Sequence, residues 1–132
     1  MSDLLRPGGA GGKQVGVLIF ENIISDRGSR YAVSGGACAN ADDAAAFLKA
    51  LKRKKKFAKA THNTWACLTA DGPLKNDDGE SGAGMVILRM LERDDVRDEI
   101  VVVTRWYGGK HLGGDRFRHV QDAVRYYLDN RQ

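Results

Sequence analysis

Two loops in this chain carry the residue types that bind ligands or do chemistry. In Trp106-Tyr-Gly-Gly-Lys-His-Leu-Gly-Gly-Asp115, the glycine pairs Gly108–Gly109 and Gly113–Gly114 permit positive φ and let a ligand approach the backbone closely. A helix opening at its end could turn amides toward an anion, with Arg105, Lys110 and His111 adding positive charge. The spacing fits neither GxxxxGK[ST] nor a strand-coupled GxGxxG, so a nucleotide cradle is poorly supported. A tight crossover with Asp115 as helix N-cap is the simpler alternative. The second loop, Asn76-Asp-Asp-Gly-Glu-Ser-Gly-Ala-Gly84, groups Asp77, Asp78 and Glu80 around Gly79, with Gly84 beyond. Three carboxylates could hold a hard cation, but the ligand spacing of an EF-hand and its closing glutamate are missing. Turn acids, or a helix cap near Ser81, account for them more simply.

The remaining reactive side chains form no catalytic set. His62, His111 and His119 show no zinc spacing. His62 and Cys67 are an odd number of residues apart on one expected strand and so face opposite sides of it, which argues against a thiol hydrolase. Cys38 and Cys67 belong to no CxxC or Cys/His cluster and read as reduced core residues. The strongest nucleic-acid feature is the run Lys52-Arg53-Lys54-Lys55-Lys56, flanked by Lys49 and Lys59. It lacks the aromatic platform or GxxG context of the common RNA-binding modules, and a solvated helix end is its plain alternative.

The elements that must position these loops are legible from periodicity. The chain has 132 residues, 42% hydrophobic and 29% charged, with a formal net charge of +4. That is one soluble domain with an adequate core and only a modest cationic excess. No apolar run approaches the roughly 18 residues of a membrane helix, and the N-terminus has no apolar signal-peptide segment, so a cytoplasmic location is expected. Residues 1–14 are expected to be a disordered glycine-rich tail and 15–132 a single domain. Val15–Phe20 and Ser29–Ala37 read as strands joined by a turn at Asp26-Arg27-Gly28. Asn40 caps a helix that buries Ala44, Phe47, Leu48 and Leu51. Thr61–Ala70 reads as a third strand. The next helix has an apolar face around Ile87, Leu88 and Leu91 so broad that it is deeply buried or partly an interface. Ile100-Val-Val-Val103 is a central strand covered on both faces, and a last helix runs from about Asp115 to Leu128. The order β-β-α-β-α-β-α predicts an α/β (α+β) two-layer fold, a mixed sheet of about four strands with helices mainly on one face.

Taken together, Asp77-Asp-Gly-Glu80 with Ala83-Gly84, then Val101-Val-Val-Thr-Arg-Trp-Tyr-Gly-Gly109, Leu112-Gly113 and Asp115-Arg-Phe-Arg-His119, closely resemble the IMPACT family. The likeness is to its ancient domain, shared with bacterial YigZ-type proteins. Ser25–Tyr31 and Ala60-Thr-His-Asn63 look like further family positions. Arg105-Trp-Tyr107 and Asp115-Arg-Phe117 are similar to the eukaryotic branch. The resemblance implies a ribosomal-protein-S5-domain-2-like fold and a non-enzymatic regulator of translation in the stress response, without cofactor or metal. Such a protein binds the ribosome-associated activator of the kinase that phosphorylates initiation factor 2, and associates with monomeric actin. Eukaryotic members also carry an N-terminal RWD domain and a charged linker. No RWD domain is expected in this sequence, where a glycine-rich stretch precedes the ancient domain.

The expected partner-binding residues are therefore Asp77, Asp78, Glu80, Arg105, Trp106, Lys110, Asp115 and Arg116. Gly79, Gly84, Gly108, Gly109, Gly113 and Gly114 shape their loops, and the protein is expected to be a monomer. The competing expectation is RNA or ribosome binding through Lys52, Arg53, Lys54, Lys55 and Lys56.

Overall fold

The computed structural model of the protein describes residues 15–132; the tail expected over 1–14 lies outside the described residues. Among the described residues five strands form one sheet: β1 (Leu18–Asp26), β2 (Ser29–Ala37), β3 (His62–Thr69), β4 (Gly72–Asn76) and β5 (Glu99–Trp106). Four helices accompany them among the described residues: α1 (Ala41–Lys52), the single turn α2 (Lys55–Ala58), α3 (Ala83–Arg93) and α4 (Asp115–Asn130). Strand order is β1-β2-β5-β3-β4, and every neighbouring pair is antiparallel.

The α/β fold class stands, with three differences in detail. The sheet has a fifth strand, β4, which pairs only with β3 and carries Pro73; an edge strand tolerates proline because one side of its backbone makes no ladder bonds. The sheet is antiparallel rather than mixed, because β5 is inserted between β2 and β3. The α1–α2 crossover does join two parallel strands, as crossovers do, but those strands are held apart by β5. Helices cover both faces. On β5, Val101 and Val103 face α3 and α4 in one cluster, while Ile100 and Val102 face α1 and α2 in the other. A strand apolar at every position is what such two-sided burial requires.

Local chemistry sets the helix ends. The Asn40 side chain accepts the Asp43 amide at 2.8 Å, the N-cap expected of it. Helix α3 buries Ile87, Leu88, Met90 and Leu91 against the sheet and α4 and leaves Met85 partly exposed. Cys38 and Cys67 lie in the core beneath α1.

Candidate functional site: a cleft clamped by buried charge

Side-chain alternation along β5 decides which end residues meet. Arg105 shares its face with Val101 and Val103 and enters the α3–α4 side, where it is only 5% exposed. Its Nη1 donates to both oxygens of Glu80 at 3.1 Å, and Glu80 is 4% exposed. Arg116, from the first turn of α4, donates through Nη1 to Glu80 Oε1 at 3.3 Å and to the Ser81 carbonyl at 3.1 Å. Ser29 Oγ lies 3.3 to 3.4 Å from Nη2 and Nε of Arg105 and accepts the Gly108 amide at 3.3 Å. One buried carboxylate thus holds two guanidinium groups, and one hydroxyl ties that of Arg105 to the β1–β2 turn. Charges this deep persist only when paired and hydrogen-bonded. The two loops singled out in the sequence therefore do meet, and a third segment, residues 26–29, joins them.

Backbone approach reinforces the joint. A Cβ on Gly108 would lie 2.0 Å from the carbonyl carbon of Gly28, which has φ +83°. Neither partner of that crossing can give way, so glycine is required by space at 108 and by conformation at 28. Gly79, Gly109 and Gly113 also take positive φ, whereas Gly114 has φ −67° and is the residue preceding α4. Gly84 makes room for the Asp77 carboxylate.

The acidic loop works mostly on its own backbone. Asp77 accepts the Gly82 amide at 3.0 Å and the Gly84 amide at 2.8 Å, capping α3 from well upstream. The Gly82 amide, aided by that of Gly84, holds its carboxyl below the usual carboxylate range. Asp78 accepts the Asn63 amide at 2.7 Å, and its carbonyl lies 2.8 Å from His62 Nδ1. A carbonyl only accepts, so Nδ1 carries the proton. Asp115 is the first residue of α4 and not its cap; its carboxylate binds Arg27 and, at 3.5 Å, Arg118. Arg27, and then His119 at 2.7 Å, also hold Asp26, whose carboxyl is lowered to about 2.

Above the clamp lies a cleft of about 470 Å³. Its floor is Glu80, Arg105 and Arg116, its inner wall His62 and Leu112, and its rim Thr61, Tyr107 and His111. Tyr107 is 43% exposed and its ring lies 5.7 Å from that of His111. The Thr61 hydroxyl fixes the Tyr107 amide at 2.9 Å. Lys110 is exposed on the same loop. Thr61, His62 and Tyr107 were absent from the residues expected at this surface. Strand register carried the signal for His62, which sits directly opposite Arg105 in the β3–β5 pairing.

Trp106 does not join the cleft. Being one residue on from Arg105, it faces the other side of the sheet, 5.3 Å from the Phe57 ring. Its Nε1 donates to the Lys56 carbonyl at 3.0 Å, and Lys56 Nζ lies 5.3 Å above the indole. It packs beneath α2. Cys67 is on that side too, and burial pushes its thiol well above the usual range, so it is no nucleophile for the cleft.

An antiparallel α/β module whose two loops are clamped over a cleft by buried charge is the class that fold and site define. Residues 27–128 match the family model of the Impact N-terminal domain. The chain belongs to the IMPACT family. It is 40% identical over 111 residues to Protein IMPACT-B of Xenopus tropicalis, covering 80% of this chain and 35% of that protein. It is 38% identical over 109 residues to the Protein IMPACT homolog of Saccharomyces cerevisiae, covering 77% of this chain and 42% of that protein. The chain thus spans less than half the length of these relatives. Among solved structures, the crystal structure of a hypothetical protein superposes with a TM-score of 0.72 at 22% identity, covering 86% of this chain and 61% of that one; that likeness concerns the fold alone.

Proposed function

We propose that the protein is a non-enzymatic regulator of translation that acts by binding a protein partner across this cleft. Membership of the IMPACT family supports the role, and the observation that carries the site is the Arg105–Glu80–Arg116 clamp. It holds an exposed rim of Tyr107, Lys110 and His111 in one shape, and a preordered rim loses less entropy on binding. Aromatic side chains such as Tyr107 are among the usual anchors of protein interfaces, and Lys110 sets a positive charge beside it. The partners implied by the family are the ribosome-associated activator of the initiation factor 2 kinase and monomeric actin.

The clamp residues act by positioning the rim, while Tyr107 and Lys110 meet the partner. The test is capture from nuclease-treated lysate at moderate salt, followed by direct binding to the purified activator or actin. Wild type is compared with a Tyr107→Ala/Lys110→Glu variant. Both side chains are exposed, and although the Tyr107 ring lies 5.7 Å from the Arg105 guanidinium, neither takes part in the hydrogen bonds of the clamp. Loss of at least about 2 kcal/mol of affinity, roughly thirtyfold, is expected for anchor residues. If neither protein is captured, or the variant binds each as wild type does, the reading is wrong.

A further inference from the structure

We infer that the elbow between α1 and α2 is a second binding surface, for the phosphate backbone of RNA. The argument starts from which cations have acids. Across most of the surface the arginines are paired: Arg27 with Asp26 and Asp115, Arg97 with Asp95, Arg125 with Asp94 and Asp129, Arg131 with Glu99. On the elbow, Lys49, Lys52, Arg53, Lys54, Lys55 and Lys59 are all exposed, and none has an acidic partner among the described residues. The other cations without one, Arg30, Lys75, Arg89 and Lys110, are scattered over separate elements. Only Lys56 within the run is engaged, by Glu21 and by the Trp106 ring.

Helix chemistry explains part of this cluster and leaves the rest. Lys49 and Lys52 sit in the last turn of α1, where cations favour the negative helix end. Lys54 and Lys55 have no such reason. They begin the one-turn α2, which has no acid in its first turn and no side-chain cap. The elbow is also rigid. Leu51 and Phe57 are buried on either side of it, and the bonds Arg53 N–Lys49 O, Lys54 N–Leu51 O and Phe57 N–Lys54 O fix the bend. Unpaired charge of one sign is held in place.

The surroundings choose the ligand. Among the described residues the exposed large hydrophobics are Leu18, Met85, Tyr107 and Tyr126, and none is on the elbow. A protein interface wants apolar anchors at its centre. A helix lying in a membrane surface needs an apolar face to insert, and here Phe47, Leu51 and Phe57 are all committed to the core. Phosphate binding requires only charge, released counterions and a fixed spacing. Lysines predominate, and they act as point charges rather than as the planar forks that read bases. Recognition is therefore of backbone and not of sequence. This surface is distinct from the cleft and stands or falls independently of the protein-binding role.

The test uses fluorescence anisotropy with a labelled RNA hairpin and a labelled single strand, in salt from about 50 to 200 mM. Six contacts predict a loss of roughly 10³-fold in affinity across that range. In a Lys52→Ala/Lys54→Ala/Lys55→Ala variant, the slope of log K against log salt should fall by about 2 to 3, at 0.7 to 0.9 per contact. Lys56 is spared because it packs on Trp106. A triple arginine variant should bind as wild type, and thermal melting should show all three proteins equally folded. Phosphatidylserine vesicles and a poly-glutamate peptide serve as competing anions. No binding to either RNA at 50 mM salt, an unchanged slope in the alanine variant, or tighter lysine-dependent binding to vesicles or peptide than to RNA would each overturn the inference.

Discussion

Replacing Glu80 by Gln tests the clamp most directly. The change keeps the shape and removes the charge that Arg105 and Arg116 share at 3.1 and 3.3 Å. Arg105 would keep its charge in a nearly closed site with only neutral acceptors, the amide oxygen of the introduced glutamine and Ser29 Oγ, in place of the carboxylate. Removing one member of a buried ion pair costs about 3 to 5 kcal/mol. Water entering through the cleft moderates the penalty, so about 3 kcal/mol is expected. For a domain of about 120 residues that lowers the melting temperature by roughly 12 °C, at about 4 °C per kcal/mol. Denaturant and thermal unfolding should be followed for Glu80→Gln, Arg105→Met and the double variant. If the pair is coupled as described, the double variant is more stable than the sum of the single losses by about 2 kcal/mol or more. A Glu80→Gln loss below about 1 kcal/mol, or strict additivity of the two changes, would refute the clamp as the element joining the loops.

Gly108→Ala should destabilise the fold by about 1 to 3 kcal/mol through overpacking, because its new methyl meets Gly28 backbone at 2.0 Å; Gly109→Ala meets nothing and is strained only by its φ of +94°, so urea unfolding of both variants separates space from conformation. Asp77→Ala should cost about 0.5 to 2 kcal/mol at neutral pH, in the range for lost caps. Because the folded carboxyl is held below its unfolded value of about 3.9, its contribution is complete above that pH and disappears as pH falls through the lower folded value. The stability curves of wild type and Asp77→Ala should therefore converge in acid, and a gap that persists undiminished at pH 2 would contradict the assignment.

Features that depend on neighbours in sequence were legible; features that depend on chain crossings were not. The Asn40 cap, the buried stripe of α1 and the two-sided burial of β5 each follow from a short window. Strand β4 offers no such window, being five residues opened by Gly72-Pro73 that exist as a strand only because β3 pairs with them. Asp77 caps α3 from five and seven residues away, beyond the reach of the usual N-cap rule. Both loops were recognisable as a surface, yet their burial was not, since Glu80 and Arg105 look like solvent-facing charges until β5 is placed mid-sheet. Trp106 shows a signal present in the sequence and outweighed by another. Strand parity alone separates it from Arg105, but its place within a conspicuous motif grouped it with the cleft.

The clamp also fixes when the cleft can exist. Its bonds join residues 25, 36 and 76 positions apart, and Arg27 reaches Asp115 across 88. Contacts of such separation form late, because the loops they close must lose their entropy first. During synthesis, when the N-terminal part emerges first, strands β1 to β3 are available well before Arg116 is. The floor of the cleft is therefore completed only after the start of α4 has cleared the ribosome. A partner that reads this cleft distinguishes a finished domain from a nascent one.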